Sequence, residues 1–139
     1  MDNLYTVSAT STGGGRDGHV ASSDNQIDFD VRPPKQLGGQ GGAANPESLF
    51  AAAYATCFHG ALKLVAGEAS ATTDGSTVEC EVTLGKDDSG FGLAAVISVH
   101  IPDMPLDKAQ QLADRAHQVC PYSKATRGNI DVTVTAVEG

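Results

Sequence analysis

The chain has 139 residues, enough for one domain over 1–139 with one core, because a chain of this size buries roughly two thirds of its unfolded surface. A formal net charge of -8 argues against nucleic acid and against anionic membrane surfaces, both of which demand clustered Lys and Arg. The opening "MDNLYTVSAT" has no basic segment followed by an apolar one, so no secretory leader is expected and the cytoplasm is the expected compartment. In that reducing setting, three cysteines without a CxxC pair point to packing, catalysis or redox chemistry in preference to a disulfide scaffold.

In chain order, "LYTVSA" at 4–9 alternates weakly and predicts a first strand, and the Gly, Ser and Asp-rich "STGGGRDGHVASSDNQ" predicts a loop or hairpin that carries Arg16. A short extended piece follows around "IDFDVRP". The prolines and glycines of "PPKQLGGQGGAAN" exclude regular structure. A helix is predicted over 46–66, with Asn45 as N-cap, Pro46 at the first position, Glu47 at the positive end of the dipole and Gly67 as its stop. "TVECEVTLGKDDSGFGLAAVISVHI" predicts a long hairpin with Val78, Cys80, Val82 and Leu84 on one face and Phe91, Leu93, Ala95, Ile97, Val99 and Ile101 on another. "PLDKAQQLADRAHQV" predicts an amphipathic helix that delivers the chain to Cys120, and "NIDVTVTAVEG" a closing strand. The class is therefore α+β, with antiparallel strands flanking one long buried helix.

That long helix is apolar on most faces: Leu49, Phe50, Tyr54, Phe58, Leu62 and Val65 cover much of its circumference, with Ala between them. Its length of about 20 residues would also span a bilayer, but His59 and Lys63 fall inside the run, so a membrane segment is not expected. One other helix and one sheet cover two faces at most. A homodimer with these helices near the two-fold axis is expected on that ground.

Three residues invite chemistry. Cys80, between Val78 and Val82, behaves as a small hydrophobe, and Cys57 in isolation reads the same way. Cys120 is different, because it stands as N-cap of a short helix that begins with Pro121, where the dipole favours thiolate. "GQGGAA" from Gly39 imitates part of a dinucleotide fingerprint but follows "RPPKQL" where a buried strand is needed, and there is no Walker lysine. His19, His59, His100 and His117 are scattered, with no paired metal-ligand spacing. His117 and Cys120, three apart, leave a metal site or a Cys-His nucleophile open.

"NPESLFAAAYATCFHGAL" at 45–62, "VCPYSKATRGNIDVTV" at 119–134 and the arginine loop "GGGRDGHV" at 13–20 resemble the organic hydroperoxide resistance branch of the Ohr/OsmC family over nearly the whole chain. The resemblance implies the OsmC-like fold, an intertwined homodimer, and a thiol peroxidase that reduces organic hydroperoxides to alcohols. It implies Cys57 as peroxidatic cysteine, Cys120 as resolving cysteine, and Arg16 with Glu47 as the polar pair holding the Cys57 thiolate. It further implies a Cys57–Cys120 disulfide, a dithiol reductant such as the dihydrolipoyl group of a lipoylated protein, and neither metal nor other cofactor. Phe50, Phe58 and Tyr122 are candidates to line an apolar substrate pocket. Ten residues, or about 15 Å of helix, separate Glu47 from Cys57, so a site using both would draw them from two chains. A Cys-His acyl hydrolase and a non-catalytic carrier of apolar ligands are the alternatives.

Overall fold

In the computed structural model, which describes residues 1–139, β1 (Ala9–Gly14), β2 (Asp17–Ser22) and β3 (Asp28–Val31) form an antiparallel sheet in that order. The strand expected over 4–9 thus lies one strand length later. Its register, Ala9 with Ser22 through Gly14 with Asp17, is set by the two-residue turn Gly15-Arg16, where Gly15 supplies a φ of 73°. The turn outweighs the weak alternation of 4–9, whose residues are all exposed. Between Pro33 and Asn45 the only regular element is a 3-10 turn at Lys35–Leu37, as the prolines and glycines predict.

Contacts divide the chain into two units, Met1–Leu49 and Phe50–Gly139. Within the first, Val31 is the one buried apolar side chain, while Leu4, Tyr5, Val7, Ile27 and Leu37 are exposed. Its sheet is braced at the surface by His19, whose Nδ1 lies 2.8 Å from Asp30 Oδ1 and whose Nε2 lies 2.6 Å from Asp28 Oδ1. Carboxylates accept, so this pair of contacts favours a ring that donates from both nitrogens, its charged form. Asp30, and then Asp28, hold the His19 pKa above its ordinary value.

Helix α1 (Pro46–Glu68) begins in the first unit, and from Phe50 onward it is the element on which the second is built. Asn45 Oδ1 accepts the Ser48 N–H at 2.9 Å and Ser48 Oγ accepts the Asn45 N–H at 2.9 Å, a reciprocal cap. Gly67 does not stop the helix. Ser70 takes the left-handed conformation at φ 55°, and the bonds Ser70 N–H to Gly67 O and Ala71 N–H to Ala66 O close a Schellman end. Although α1 is long and apolar enough to cross a membrane, Tyr54, Phe58, Leu62 and Val65, one helical stripe, are fully buried in protein. Truncating Leu62 to Ala would cost about 2–5 kcal/mol. The stripe is not all-round: Ala52, Thr56, Gly60, Lys63 and Leu64 on the opposite side are exposed within one chain.

The sheet facing this stripe holds β4 (Thr77–Asp87), β5 (Gly90–His100) and β6 (Asp131–Ala136), in that order. The β4–β5 register pairs Val78 with Val99, Cys80 with Ile97, Val82 with Ala95 and Leu84 with Leu93, so the two predicted apolar sets line one face. Phe91 departs from its set. It is exposed near the hairpin tip, with Lys86 Nζ 5.2 Å from its ring centre. The expectation of purely antiparallel sheets is corrected at β6, which runs parallel to β5. A parallel neighbour needs a crossover, and α2 (Leu106–Val119) with α3 (Pro121–Thr126) supplies it. Helix α2 buries Ala109, Leu112, Ala113 and Ala116 in the same core, but Leu106 and Val119 at its ends are exposed.

Because the folded pKa of His19 is raised, its contribution to stability is complete below the unfolded value near 6.5 and is lost as pH rises through the folded value. Asp30, held below the ordinary carboxylate range by His19, sets the acid limit, its share disappearing as pH falls through the depressed value. Urea midpoints are therefore expected to fall from pH 6 upward, and His19→Gln should remove most of that slope. An identical slope in the variant would rule out the clamp.

Candidate active site

Cys57 projects from the middle of α1 beside the buried stripe, and Cys120 is the residue at which α2 ends and α3 begins. Both are free thiols, with Cys120 Sγ 3.7 Å from Cys57 Sγ. Cys120 is fully buried, whereas Cys57 is half-buried. The gap exceeds a disulfide bond by less than about 2 Å, a distance that side-chain rotation and a small backbone shift can cover.

The dipole argument made for Cys120 finds its object elsewhere. Cys120 occupies the N-cap position of α3 with extended backbone, but its side chain makes no capping hydrogen bond. It is the backbone N–H of Tyr122, in the first turn of α3, that favours the thiolate of Cys57. Burial is the larger influence on Cys57 and pushes its thiol up. The Tyr122 amide works against burial, and the neighbouring Cys120 adds to the rise. Cys80 has no sulfur partner: it sits on β4 in the core, where burial pushes its thiol up to about 11.

Neither candidate histidine is bonded to sulfur. His117 Nδ1 meets Ser123 Oγ at 2.7 Å, and His59 Nε2 meets Ser76 Oγ at 2.9 Å. Burial, with Arg127 nearby, lowers the His117 pKa. Each contact occupies one ring nitrogen, and neither histidine has a hydrogen bond to a cysteine of the kind a Cys-His nucleophile uses.

An apolar cavity of about 290 Å³ is bordered by Phe50, Leu93, Tyr122 and Ile130, with Thr126 and Asn129 among its polar margins, and neither cysteine lines it. Tyr122 is common to the two features, its amide bonded to Cys57 and the residue itself bordering the cavity. Of the three pocket residues expected from sequence, Phe50 and Tyr122 border this space. Phe58 does not: it is fully buried in the core, its ring 6.5 Å from that of His117. Leu93 and Ile130 were absent from the expectation because a strand face and a loop beyond α3 carry no pocket signature of their own. Also missed were Tyr54, Ser123 and Thr126, whose hydroxyls meet in the core at 2.9 and 3.0 Å.

In the first unit, the β1–β2 turn presents Arg16 to Glu47, the first-turn acid of α1. The contact is bidentate, Nη1 to Oε2 at 3.0 Å and Nη2 to Oε1 at 2.9 Å. The guanidinium holds the Glu47 carboxyl below its ordinary range, and Glu47 raises the Arg16 pKa in return. The two predicted polar residues are therefore paired with each other across 31 positions of sequence.

A protein-family model described as OsmC-like protein matches residues 39–135, a span that includes Glu47, Cys57 and Cys120. The organic hydroperoxide resistance protein of Xanthomonas axonopodis pv. citri is 48% identical over 134 residues, covering 95% of this chain and 94% of the relative. Among solved structures, an organic hydroperoxide resistance protein from Elizabethkingia anophelis, with thiocyanate bound, superposes at a TM-score of 0.93 with 48% identity over 100% of both chains. OhrB of Bacillus subtilis superposes at 0.88 with 45% identity, covering 97% of this chain and 100% of that one.

The unequal burial of the three thiols has a direct readout. Iodoacetamide at pH 8 is expected to modify Cys57 first and to leave Cys80 unmodified until the protein is unfolded, as followed by intact mass and peptide mapping. Labelling of Cys80 at the rate of Cys57 would contradict the placement of that thiol.

Proposed function

This chain belongs to the OsmC-like family, in its organic hydroperoxide resistance branch, and from that premise we propose that it is a thiol peroxidase reducing organic hydroperoxides to alcohols. The observation that carries the reading is the pair of free thiols 3.7 Å apart, one half-buried and one fully buried. A peroxide can reach Cys57. Cys120 is sheltered from it and stands within reach of whatever forms on Cys57.

The Cys57 thiolate attacks one peroxide oxygen, the O–O bond breaks, and the alkoxide leaves and takes a proton to become the alcohol, while Cys57 becomes a sulfenic acid. Cys120 then displaces the hydroxyl as water, forming the Cys57–Cys120 disulfide. A dithiol of the dihydrolipoyl type restores both thiols by two exchange steps and is itself oxidised to a disulfide. The apolar cavity suits the hydrocarbon part of an organic hydroperoxide, with Phe50 and Tyr122 at its walls.

Arg16 and Glu47 have a role to fill in this scheme. Burial raises the Cys57 thiol, so a reactive thiolate needs a cation, and a guanidinium already oriented by a bidentate carboxylate supplies one. Helical rise separates Glu47 from Cys57 by about 15 Å, which favours a site completed by a second copy of the chain. Two further observations support a homodimer: the exposed side of α1, and the exposed Leu4, Tyr5 and Val7 of a unit with one buried apolar side chain.

Cys57→Ser and Cys120→Ser should each abolish dithiol-supported turnover of an organic hydroperoxide, while Cys80→Ser should not, and Cys57→Ser alone should block the first oxidation. Sulfenic acid forming on Cys120 at the normal rate in Cys57→Ser would invert the roles. Arg16→Ala is expected to slow peroxide reduction by about 10- to 100-fold, the worth of one charge-assisted hydrogen bond, and Glu47→Ala by less. Refolding Cys57→Ser together with Arg16→Ala should recover activity above either parent, because hybrid dimers contain one intact site. No gain, with hybrids confirmed by native mass spectrometry, would sink the shared site.

A further inference from the structure

Four polar side chains close together where α1, α2 and α3 meet. Tyr54 Oη lies 2.9 Å from Ser123 Oγ and 3.0 Å from Thr126 Oγ1, His117 Nδ1 lies 2.7 Å from Ser123 Oγ, and Thr126 Oγ1 donates to the Ser123 carbonyl at 3.2 Å. Tyr54 and Ser123 are fully buried, and no buried side-chain polar atom in the chain lacks a partner. Each hydroxyl has a single proton, so satisfying all four contacts at once fixes their direction. Thr126 donates to the carbonyl, Tyr54 to Thr126, Ser123 to Tyr54, and His117 Nδ1–H to Ser123.

These groups bracket the two sulfurs. Tyr54 precedes Cys57 by three positions on α1, His117 precedes Cys120 by three at the end of α2, and Ser123 follows Cys120 by three on α3. A spacing of three places each on the same side of its helix as the neighbouring cysteine. Arg127 Nη1 donates to the His117 carbonyl at 2.8 Å and ties the end of α3 back to the end of α2.

Stability alone does not call for this arrangement, since replacing bonded polar partners by apolar groups of the same shape is often nearly neutral. Directional bonds add a fixed distance between helices that apolar surfaces can otherwise slide past. We propose that the Tyr54–Ser123–His117 chain is a positioning device that sets the approach of Cys120 to Cys57, governing formation and stability of their disulfide and not the first attack on peroxide. Its kinetic part rests on the peroxidase reading above. The step it serves is balanced: Cys120 loses its proton and its sulfur is oxidised, the sulfenic sulfur of Cys57 is reduced, the S–O bond gives way to S–S, and water leaves.

The test uses Tyr54→Phe and Ser123→Ala in the full chain, with His117→Ala compared with His117→Asn, whose amide N–H can replace Nδ1–H. The first measurement needs no peroxide: protein oxidised by diamide is equilibrated against dithiothreitol redox buffers, and the disulfide fraction is read by mass. Tyr54→Phe and Ser123→Ala should shift that equilibrium toward the dithiol by up to about tenfold, the factor one ordinary hydrogen bond is worth. The second is quenched-flow mass spectrometry after an organic hydroperoxide. Oxidation of Cys57 should stay within about twofold of the unsubstituted protein, while condensation slows by up to about tenfold and sulfinic acid accumulates on Cys57. His117→Asn should retain most of what His117→Ala loses. If the wild-type chain ignores hydroperoxide yet the diamide equilibrium responds to Tyr54→Phe, the peroxidase reading fails and the positioning device stands. Unchanged equilibrium and unchanged condensation in both Tyr54→Phe and Ser123→Ala would overturn the device.

Discussion

Everything about the candidate site depends on one buried joint, the residue that ends α2 and starts α3. The Cys120 N–H bonds to the Ala116 carbonyl, and the Cys120 carbonyl accepts the Lys124 N–H, so the backbone is held from both helices at once. Pro121, lacking an N–H, suits the first position of α3 and prevents α2 from simply continuing. The fully buried thiol has no freedom to face solvent, and what it faces is Cys57. The same joint turns the Tyr122 amide toward that sulfur, so one bend in the chain supplies both a neighbouring thiol and a partial positive charge.

The two units make opposite use of polarity. The second concentrates its apolar side chains into one core spanning α1, α2 and the β4–β5–β6 sheet, and spends its few buried hydroxyls on a single connected chain. The first has almost no core. It holds its shape with backbone ladders, the bidentate Arg16–Glu47 pair and the doubly bonded His19. Exposed charges bonded in this way contribute little to stability and much to orientation. A segment that presents a guanidinium needs orientation most.

The elements with strong local signals were legible in the residues. Asn45-Pro46-Glu47 marks the start of α1, and period-two alternation marks β4 and β5. Features decided by partners were not. Strand β1 is polar along its length and pairs through backbone alone, so no side-chain pattern marks it, and the tight turn at Gly15-Arg16 decides its place. Gly67 looked like a stop, yet an exposed helix position tolerates glycine while Ser70 supplies the left-handed residue. The parallel direction of β6 is imposed by the two-helix crossover and carries no mark in the residues of the strand itself. The cysteine and arginine motifs pointed to the candidate groups through family resemblance, whereas which sulfur receives the Tyr122 amide, and that Tyr54 meets Ser123, depends on how α3 folds back on α1.

The 63 positions between Cys57 and Cys120 also impose an order in time. At translation speeds of about 5–20 residues per second, Cys57 leaves the ribosome roughly 3–13 s before Cys120 does. The sheet behind α1 is completed only when β6, near the chain's end, docks beside β5. A nascent chain therefore passes several seconds with a thiol on an apolar helix that has neither its intramolecular partner nor its finished shelter, and damage suffered in that interval is carried into the folded protein.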